Sequence, residues 1–242
     1  MIFIAILAVF LILAIAYRYS SKRIEFYGYY DKVWAHRAND LKKLENSQSR
    51  FKGIELDLVY QKEGDWLEVN HPPAPSTGLS FKEYVNHVSN KKLGMWLDLK
   101  NLTPTNQQAV FNRIEKGIAS AEINPSQVII ESSQAELLNI FQKKGYRTSY
   151  YLPINLHQKT EEELAKSIQE IKAQLQKQKD LEISSDFTDY AVISKYFPKK
   201  KKNFWVMHST YSVKILKSYK TLRKMLQDSS VQTVLTPYNN WN

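Results

Sequence analysis

A chain of 242 residues that is 43% hydrophobic can bury one sizeable core, and eight prolines with seven glycines are too few for a disordered or collagen-like protein. The lack of cysteine excludes disulfides and thiolate metal sites. A net charge of +10 favours acidic partners, but the basic residues are dispersed outside Lys199–Lys202 and accompany no nucleic-acid-binding motif. Nucleic acid is therefore not an expected partner, whereas anionic bilayer headgroups are. The lysine run reads as a solvated loop, with a bilayer-facing patch as the alternative.

From Met1 to Ala16 every residue is apolar, and Tyr17, Arg18, Tyr19, Lys22 and Arg23 follow. That length is the lower edge of a membrane-spanning helix, and the aromatic-basic flank suits a helix end at a membrane interface. The segment predicts an N-terminal transmembrane helix over residues 1–17, acting as a single-pass membrane anchor. A cleavable signal peptide is the rival, since Ala14-Ile15-Ala16 resembles a cleavage site, although no Lys or Arg precedes the apolar run. The positive-inside rule points the body toward the cytoplasm only weakly, because a whole domain follows, so the side is left open. Residues 18–31, with Phe26-Tyr27-Gly28-Tyr29-Tyr30, read as a juxtamembrane linker.

Residues 32–242 alternate strand-like and helix-like stretches. Apolar patterning predicts strands at 33–36, 53–60, 94–100, 127–132, 147–152, 182–187, 203–209 and 232–236. Capping-box patterns begin at Ser80, Ser133 and Thr160, and Thr103-Pro104 offers an N-cap followed by proline at the first helical position. Leu164, Ile168, Ile171 and Leu175 form one core-facing stripe, and Val213, Leu216, Leu222 and Met225 a second. Eight strands alternating with helices predict an α/β fold, a (β/α)8 TIM barrel. A doubly wound open sheet is the alternative, but no glycine-rich phosphate loop follows any strand.

Charges interrupt two of these apolar strands. Glu55 and Asp57 lie two apart, as do Asp98 and Lys100, so each pair projects from one face. Unpaired carboxylates in an apolar interior are very costly, and three converging acids need a cation. His36 closes the first strand with Arg37 behind it, and His71 follows a short extension of the second. In a barrel His36, Glu55, Asp57, His71, Asp98 and Lys100 collect at the carboxyl ends of adjacent strands. Glu55, Asp57 and Asp98 are hard oxygen donors suited to one divalent cation, Mg2+ or Ca2+. Arg37 and Lys100 are placed to bind phosphate oxygens, and His36 and His71 to share general acid and base roles. The chemistry best served is hydrolysis of a phosphodiester.

The order of these segments resembles the glycerophosphodiester phosphodiesterase family of the phospholipase-C-like superfamily. Its His-Arg, Glu-x-Asp, second His and acid-x-Lys match His36-Arg37, Glu55-Leu56-Asp57, His71 and Asp98-Leu99-Lys100. Val128–Ser133 and Val234–Tyr238 look like later strands of that barrel. The resemblance implies two histidines as acid and base, three acids binding Mg2+ or Ca2+, and a neighbouring substrate hydroxyl as first nucleophile. Departures are Ala38 in place of glycine, a short segment from His36 to Glu55, and Asp98 where glutamate is common. The second histidine lies in Asn70-His71-Pro72-Pro73 without a following aspartate, and the usual helical insertion is missing. His-Pro-Pro, a Ser/Thr-initiated helix and Leu-Asp-x-Lys are menorin-like features.

The expectation is a membrane-anchored, metal-dependent hydrolase of a glycerophosphodiester or lysophospholipid-type substrate. One rival is a non-catalytic barrel that binds a phospho-ligand or protein partner, and another is a metal-assisted carbohydrate hydrolase. His87 and His157 read as structural, and His208 as near the end of the seventh strand. Trp96 and Trp205 read as core residues or as packing surfaces for a substrate's organic group. Oligomeric state is left open.

Overall fold

The computed structural model describes residues 2–18, 20–206 and 215–238, without the side chains of residues 2, 3, 18 and 215–218. Nine strands are formed: β1 Val33–His36, β2 Gly53–Gln61, β3 Trp66–Val69, β4 Gly94–Leu99, β5 Val128–Ser132, β6 Arg147–Tyr151, β7 Glu182–Asp186, β8 Lys202–Trp205 and β9 Val231–Pro237. Eight of them pair in parallel around a closed cylinder, with β1 bonded to both β2 and β9. The helices are α1 Ile2–Arg18, α2 Leu41–Gln48, α3 Phe81–Asn86, α4 Gln107–Ser120, α5 Asn139–Gln142, α6 Glu161–Lys177, α7 Tyr190–Tyr196 and α8 Ile215–Gln227. The chain is therefore a TIM barrel, and the predicted strands correspond to the eight parallel ones. Residues 207–209 of the seventh predicted strand, and with them His208, lie outside the described residues.

β3 was not anticipated. It pairs antiparallel to β2, from Leu58↔Val69 to Gln61↔Trp66, and so makes a hairpin on the barrel's edge that carries the chain back toward His71. Glu68 in its centre is fully buried, but it is satisfied by Ser76, Thr77, Gly78 and Gln61. Helix starts follow the sequence in part. Thr160 and Glu163 form a reciprocal capping box, and Ser80 accepts from the Glu83 N–H. The Ser133 and Thr103 signals do not cap helices; α4 begins later, after Asn106. Leu222 and Met225 are buried as expected, while Val213 lies outside the described residues.

Strand alternation divides the core. Val33, Ile54, Leu56, Leu97, Val128 and Ile130 face outward into the layer beneath the helices. Trp34, Trp96, Ile129, Trp205 and Leu235 form a separate cluster within the barrel. Trp34 is admitted there because β2 and β4 both begin with glycine: a Cβ at Gly53 or Gly94 would come within 2.3 Å or 2.4 Å of its ring. Near the amino ends of β6 and β7, Arg147 forks onto Glu182 through two bonds of 2.9 Å and 2.8 Å, which satisfies a buried carboxylate with a planar donor. The lysine run is not wholly solvated, because Lys202 is fully buried and its Nζ bonds to the Pro198 and Lys200 carbonyls and to Ser230.

Two expectations about the N-terminus change. Among the described residues no helix is long and apolar enough to cross a membrane. α1 has 17 residues, about 26 Å at 1.5 Å per residue, against a hydrocarbon core of about 30 Å. The linker, moreover, is packed against the barrel. Phe26 is buried in the core, and Arg23 pairs with Glu25 at 3.1 Å and donates to Thr236 Oγ1 at 3.0 Å. Further along, Arg223 of α8 donates to the Glu25 and Tyr27 carbonyls, and Lys32 to those of Leu226 and Asp228.

Gly94→Ala is expected to destabilise the barrel by about 1–3 kcal/mol, because its methyl group enters the space of the Trp34 ring. Urea unfolding of Gly94→Ala with and without Trp34→Leu checks this. The smaller residue should restore part of the loss, and an undiminished midpoint in Gly94→Ala alone would contradict the packing.

Candidate active site

The parallel register sets the heights of the functional groups. Gly53 pairs with Gly94, Glu55 with Trp96, and Asp57 with Asp98, so interior residues of the two strands stand side by side. Asp57 and Asp98 emerge level with one another, with Glu55 one step below. One ligand oxygen from each of the three lies within 4.8 Å of the others. All three side chains are buried, Glu55 and Asp57 at 2% and 1% exposure.

β1 delivers His36 and Arg37 to the same mouth. Adjacent residues of a strand face opposite sides, but Arg37 has a φ of +52°, which breaks the alternation and lets both side chains line the cavity. The turn is held by the Arg37 N–H donating to Glu55 Oε2 at 2.6 Å and by Lys43 Nζ donating to the Arg37 carbonyl at 2.6 Å. His36 Nε2 lies 3.7 Å from Glu55 Oε2, and the Arg37 guanidinium is 2.9 Å from His71 Nε2. Lys100 Nζ lies 2.7 Å from Asp57 Oδ1 and also contacts Asp98 Oδ2. All seven sequence-predicted site residues, His36, Arg37, Glu55, Asp57, His71, Asp98 and Lys100, thus line one cavity of about 80 Å³.

The electrostatics follow from burial. Desolvation, aided by the Arg37 charge, pushes the His36 imidazole down to about 3, so it rests neutral near neutral pH. Burial, then the charges of Asp57 and Asp98, hold Glu55 well above the usual carboxylate range. Asp98 is raised by burial and partly relieved by Lys100. Burial opposes the Lys100 charge, but Asp98 and Asp57 more than offset it and raise that ammonium. One ammonium shared by two of three buried carboxylates leaves negative charge in excess. A hard divalent cation fits such an all-oxygen donor set.

Three groups escaped the sequence reading. Asn39 donates to Asp57 Oδ2 at 2.6 Å and accepts from the Asp57 N–H at 2.9 Å, which fixes that carboxylate from both sides. Its only sequence signal is a position three residues after His36. Glu131 is the second: it pairs with Asp98 across β4 and β5, is 2% exposed and lines the cavity. Burial and the Asp98 charge hold it well above the usual range. An acid closing the apolar run Val128-Ile129-Ile130 was a signal of the kind that exposed Glu55. Tyr151 is the third, stacked on Trp205 at 4.8 Å between centroids and 16° between planes, and both line the cavity. Trp205 and Trp96 are thus at once core and pocket wall. His157 Nδ1 lies 2.7 Å from the buried Asp189 carboxylate, which accepts from it, and His87, the C-cap of α3, contacts the Glu83 carbonyl.

No family model matches this chain, and no curated protein matches it by sequence. Solved structures do match. A putative glycerophosphoryl diester phosphodiesterase from Agrobacterium tumefaciens aligns with a TM-score of 0.61 at 12% identity, over 86% of this chain and 93% of that one. The chain shares its fold with the glycerophosphodiester phosphodiesterases. An Oleispira antarctica phosphodiesterase, solved in complex with the product sn-glycerol-3-phosphate, aligns at 0.59 and 10% identity over 86% and 93% of the two chains. The enzyme from Thermotoga maritima gives 0.56 at 14% over 85% and 93%. At such identities the likeness is one of fold, and the menorin-like wording around His71 is not addressed by it.

A carboxyl whose pKa rises on folding holds a proton that the unfolded chain has released. Its contribution to stability therefore falls as pH rises past the unfolded carboxylate range of about 4.3. Glu55→Gln should accordingly stabilise the protein in EDTA at about pH 8 and bring no gain at about pH 3, where both states are protonated. Urea unfolding at the two pH values checks this, and equal stability of variant and wild type at the higher pH would contradict it.

Proposed function

We propose that this chain is a metal-dependent phosphodiester hydrolase acting on a glycerophosphodiester or lysophospholipid-type substrate. The observation that carries the reading is the convergence of two imidazoles, a guanidinium, an ammonium and three carboxylates on one cavity of a phosphodiesterase-type barrel. A carbohydrate hydrolase needs a carboxylate pair across a sugar and has no use for Arg37 and Lys100.

A divalent ion held by Glu55, Asp57 and Asp98 would neutralise phosphate charge and polarise its oxygens. Arg37 and Lys100 supply donors for the remaining oxygens, and Arg37 is suited to a forked contact. His36, neutral through burial, takes the proton from the attacking hydroxyl, whether of the substrate or of water. As the bond from phosphorus to the leaving alcohol breaks, His71 returns a proton to that alcohol. Asn39 holds Asp57 in place, and Glu55 anchors the backbone turn that presents Arg37.

Attachment to a membrane through α1 belongs to the same proposal. Its side chains are exposed around the helix, with Ile4 at 71%, Phe10 at 66% and Leu11 at 61%, and such a surface is matched by hydrocarbon. Arg23, five residues past the end of α1, is fastened to Thr236, and Thr236 pairs with Ala35 at the carboxyl ends of β9 and β1. The segment that follows the apolar helix is thus tied to the barrel near the carboxyl ends of β9 and β1, which suits a substrate at or released from a bilayer.

Purified protein with Mg2+ or Ca2+ should release alcohol from a panel of phosphodiesters. EDTA should abolish turnover, and His36→Ala should lower kcat about 10²–10⁴-fold. Tight binding without turnover would select the non-catalytic barrel instead. In a flotation assay with anionic phospholipid vesicles, wild type should rise with the lipid and a Leu7→Asp, Leu11→Asp double variant should not. Equal flotation of the two would overturn the role of α1.

A further inference from the structure

β3 carries a charge where its neighbours in sequence are apolar. Glu68, between Leu67 and Val69, is fully buried. Its carboxylate accepts from Gln61 Nε2 at 2.6 Å, from Ser76 Oγ, from the Thr77 N–H at 2.8 Å and from the Gly78 N–H at 3.2 Å. Burial opposes the charge, but the bonds from Ser76, Gln61, Gly78 and Thr77 outweigh it and hold the carboxyl below the usual range, so it is ionised near neutral pH. A buried charge is a costly way to fill a strand, since an apolar residue of similar volume commonly serves stability as well or better. Apart from Gln61, every donor to Glu68 lies in the loop that follows His71.

That loop has little apolar packing to hold it. Residues 72–78 are all exposed, so no buried side chain fixes their course. The other ties across it are polar as well. Thr77 Oγ1 donates to the Val69 carbonyl at 3.0 Å, and the Val69 N–H to the Leu79 carbonyl at 2.9 Å. Asn70 Nδ2 donates to the Ala74 carbonyl at 3.3 Å, and the Ala74 N–H to the His71 carbonyl at 3.0 Å. On its near side His71 is moored through Asn70, whose N–H donates to the Asp57 carbonyl at 3.1 Å. On its far side it depends on the chain that returns to Glu68.

We propose that Glu68 is a positioning residue: by clamping Ser76, Thr77 and Gly78 it holds closed the loop that presents the His71 imidazole to the cavity. The proposal rests on the phosphodiesterase reading, in which His71 protonates the leaving alcohol, and it assigns the precision of that step to a residue that does not line the cavity. As the bond from phosphorus to oxygen breaks, its electron pair stays with the departing oxygen and the His71 proton goes to it. A loosened loop leaves the three acids, His36 and Arg37 on their own strands and weakens that one transfer. Its effect should therefore depend on how much the leaving group needs a proton.

Single-turnover release of alcohol by the full chain in Mg2+ or Ca2+ tests the clamp, with two glycerophosphodiesters that differ only in the leaving alcohol, ethanol or p-nitrophenol. Ethoxide must be protonated as it leaves, whereas p-nitrophenolate departs without a proton. Glu68→Leu should slow the ethyl ester about 10–100-fold and the p-nitrophenyl ester less than about threefold, following His71→Ala in kind. Glu68→Gln should keep most of the rate, because its carbonyl oxygen still accepts from the loop and the Gln61 amide can turn to accept its N–H. Ser76→Ala removes one bond from the exposed loop and should give the same pattern at about threefold, and it replaces Glu68→Leu if melting curves show that variant unfolded. Equal slowing of both esters by a folded variant, or slowing of neither, overturns the clamp. Imidazole NMR signals read the positioning without turnover: Glu68→Leu, or Ser76→Ala in its place, should shift those of His71 and spare those of His36. Unchanged His71 signals overturn the proposal, whereas shifted signals in a protein that turns over neither ester count against the hydrolase reading alone.

Discussion

The arrangement depends on one constraint, the parallel register between β2 and β4. Pairing Gly53 with Gly94 and Asp57 with Asp98 brings carboxylates of neighbouring strands to one height inside a closed cylinder. A slip of one residue would send one strand's acids to the outer, helix-covered face and the apolar residues inward. Trp34 enforces the register, because its ring occupies the space that two side-chain-free glycines leave at the start of both strands. The cavity wall above it, from Trp96 to Trp205, extends the same interior packing. An aromatic floor thus fixes the height of the charged groups over it.

That placement is electrostatically expensive. Glu55, Asp57, Asp98 and Glu131 are all buried, and Lys100 contacts only two of them. Pairing Glu55 with the Arg37 N–H, and Asp57 with Asn39, distributes part of the charge into hydrogen bonds. Burial first, and neighbouring carboxylate charge after it, favours the protonated forms of Glu55, Asp98 and Glu131. Local conflicts of this kind, set in an otherwise well-packed core, mark sites kept for function rather than stability.

Much of this was legible because parallel strands covered on both faces read as unbroken apolar runs. Against such runs, Glu55-Leu56-Asp57 and Asp98-Leu99-Lys100 stand out, and the two-residue spacing alone aims them together. Glu131 was equally visible at Val128–Ser132 but lacked a second charged residue two positions away to mark a face. Asn39 acts through hydrogen bonds to Asp57 that depend on a left-handed turn at Arg37, which no propensity predicts for arginine. β3 is too short, and has too polar a centre at Glu68, to carry a strand signal; it exists because β2 offers an edge. At the N-terminus composition gave the apolar helix, but its 17 residues fall short of a bilayer's hydrocarbon thickness. Nor does composition show that Arg23 and Phe26 would pack the linker onto the barrel.

The most direct measurement is anomalous diffraction from crystals of the full chain soaked in Mn2+, which takes the same hard oxygen donors as Mg2+. The account predicts a single strong peak about 2.0–2.4 Å from oxygens of Glu55, Asp57 and Asp98, with Lys100 Nζ moved off at least one carboxylate and both imidazoles facing the ion across the cavity. A cavity that stays free of anomalous density at saturating Mn2+, or a peak held by any other set of side chains, would contradict it.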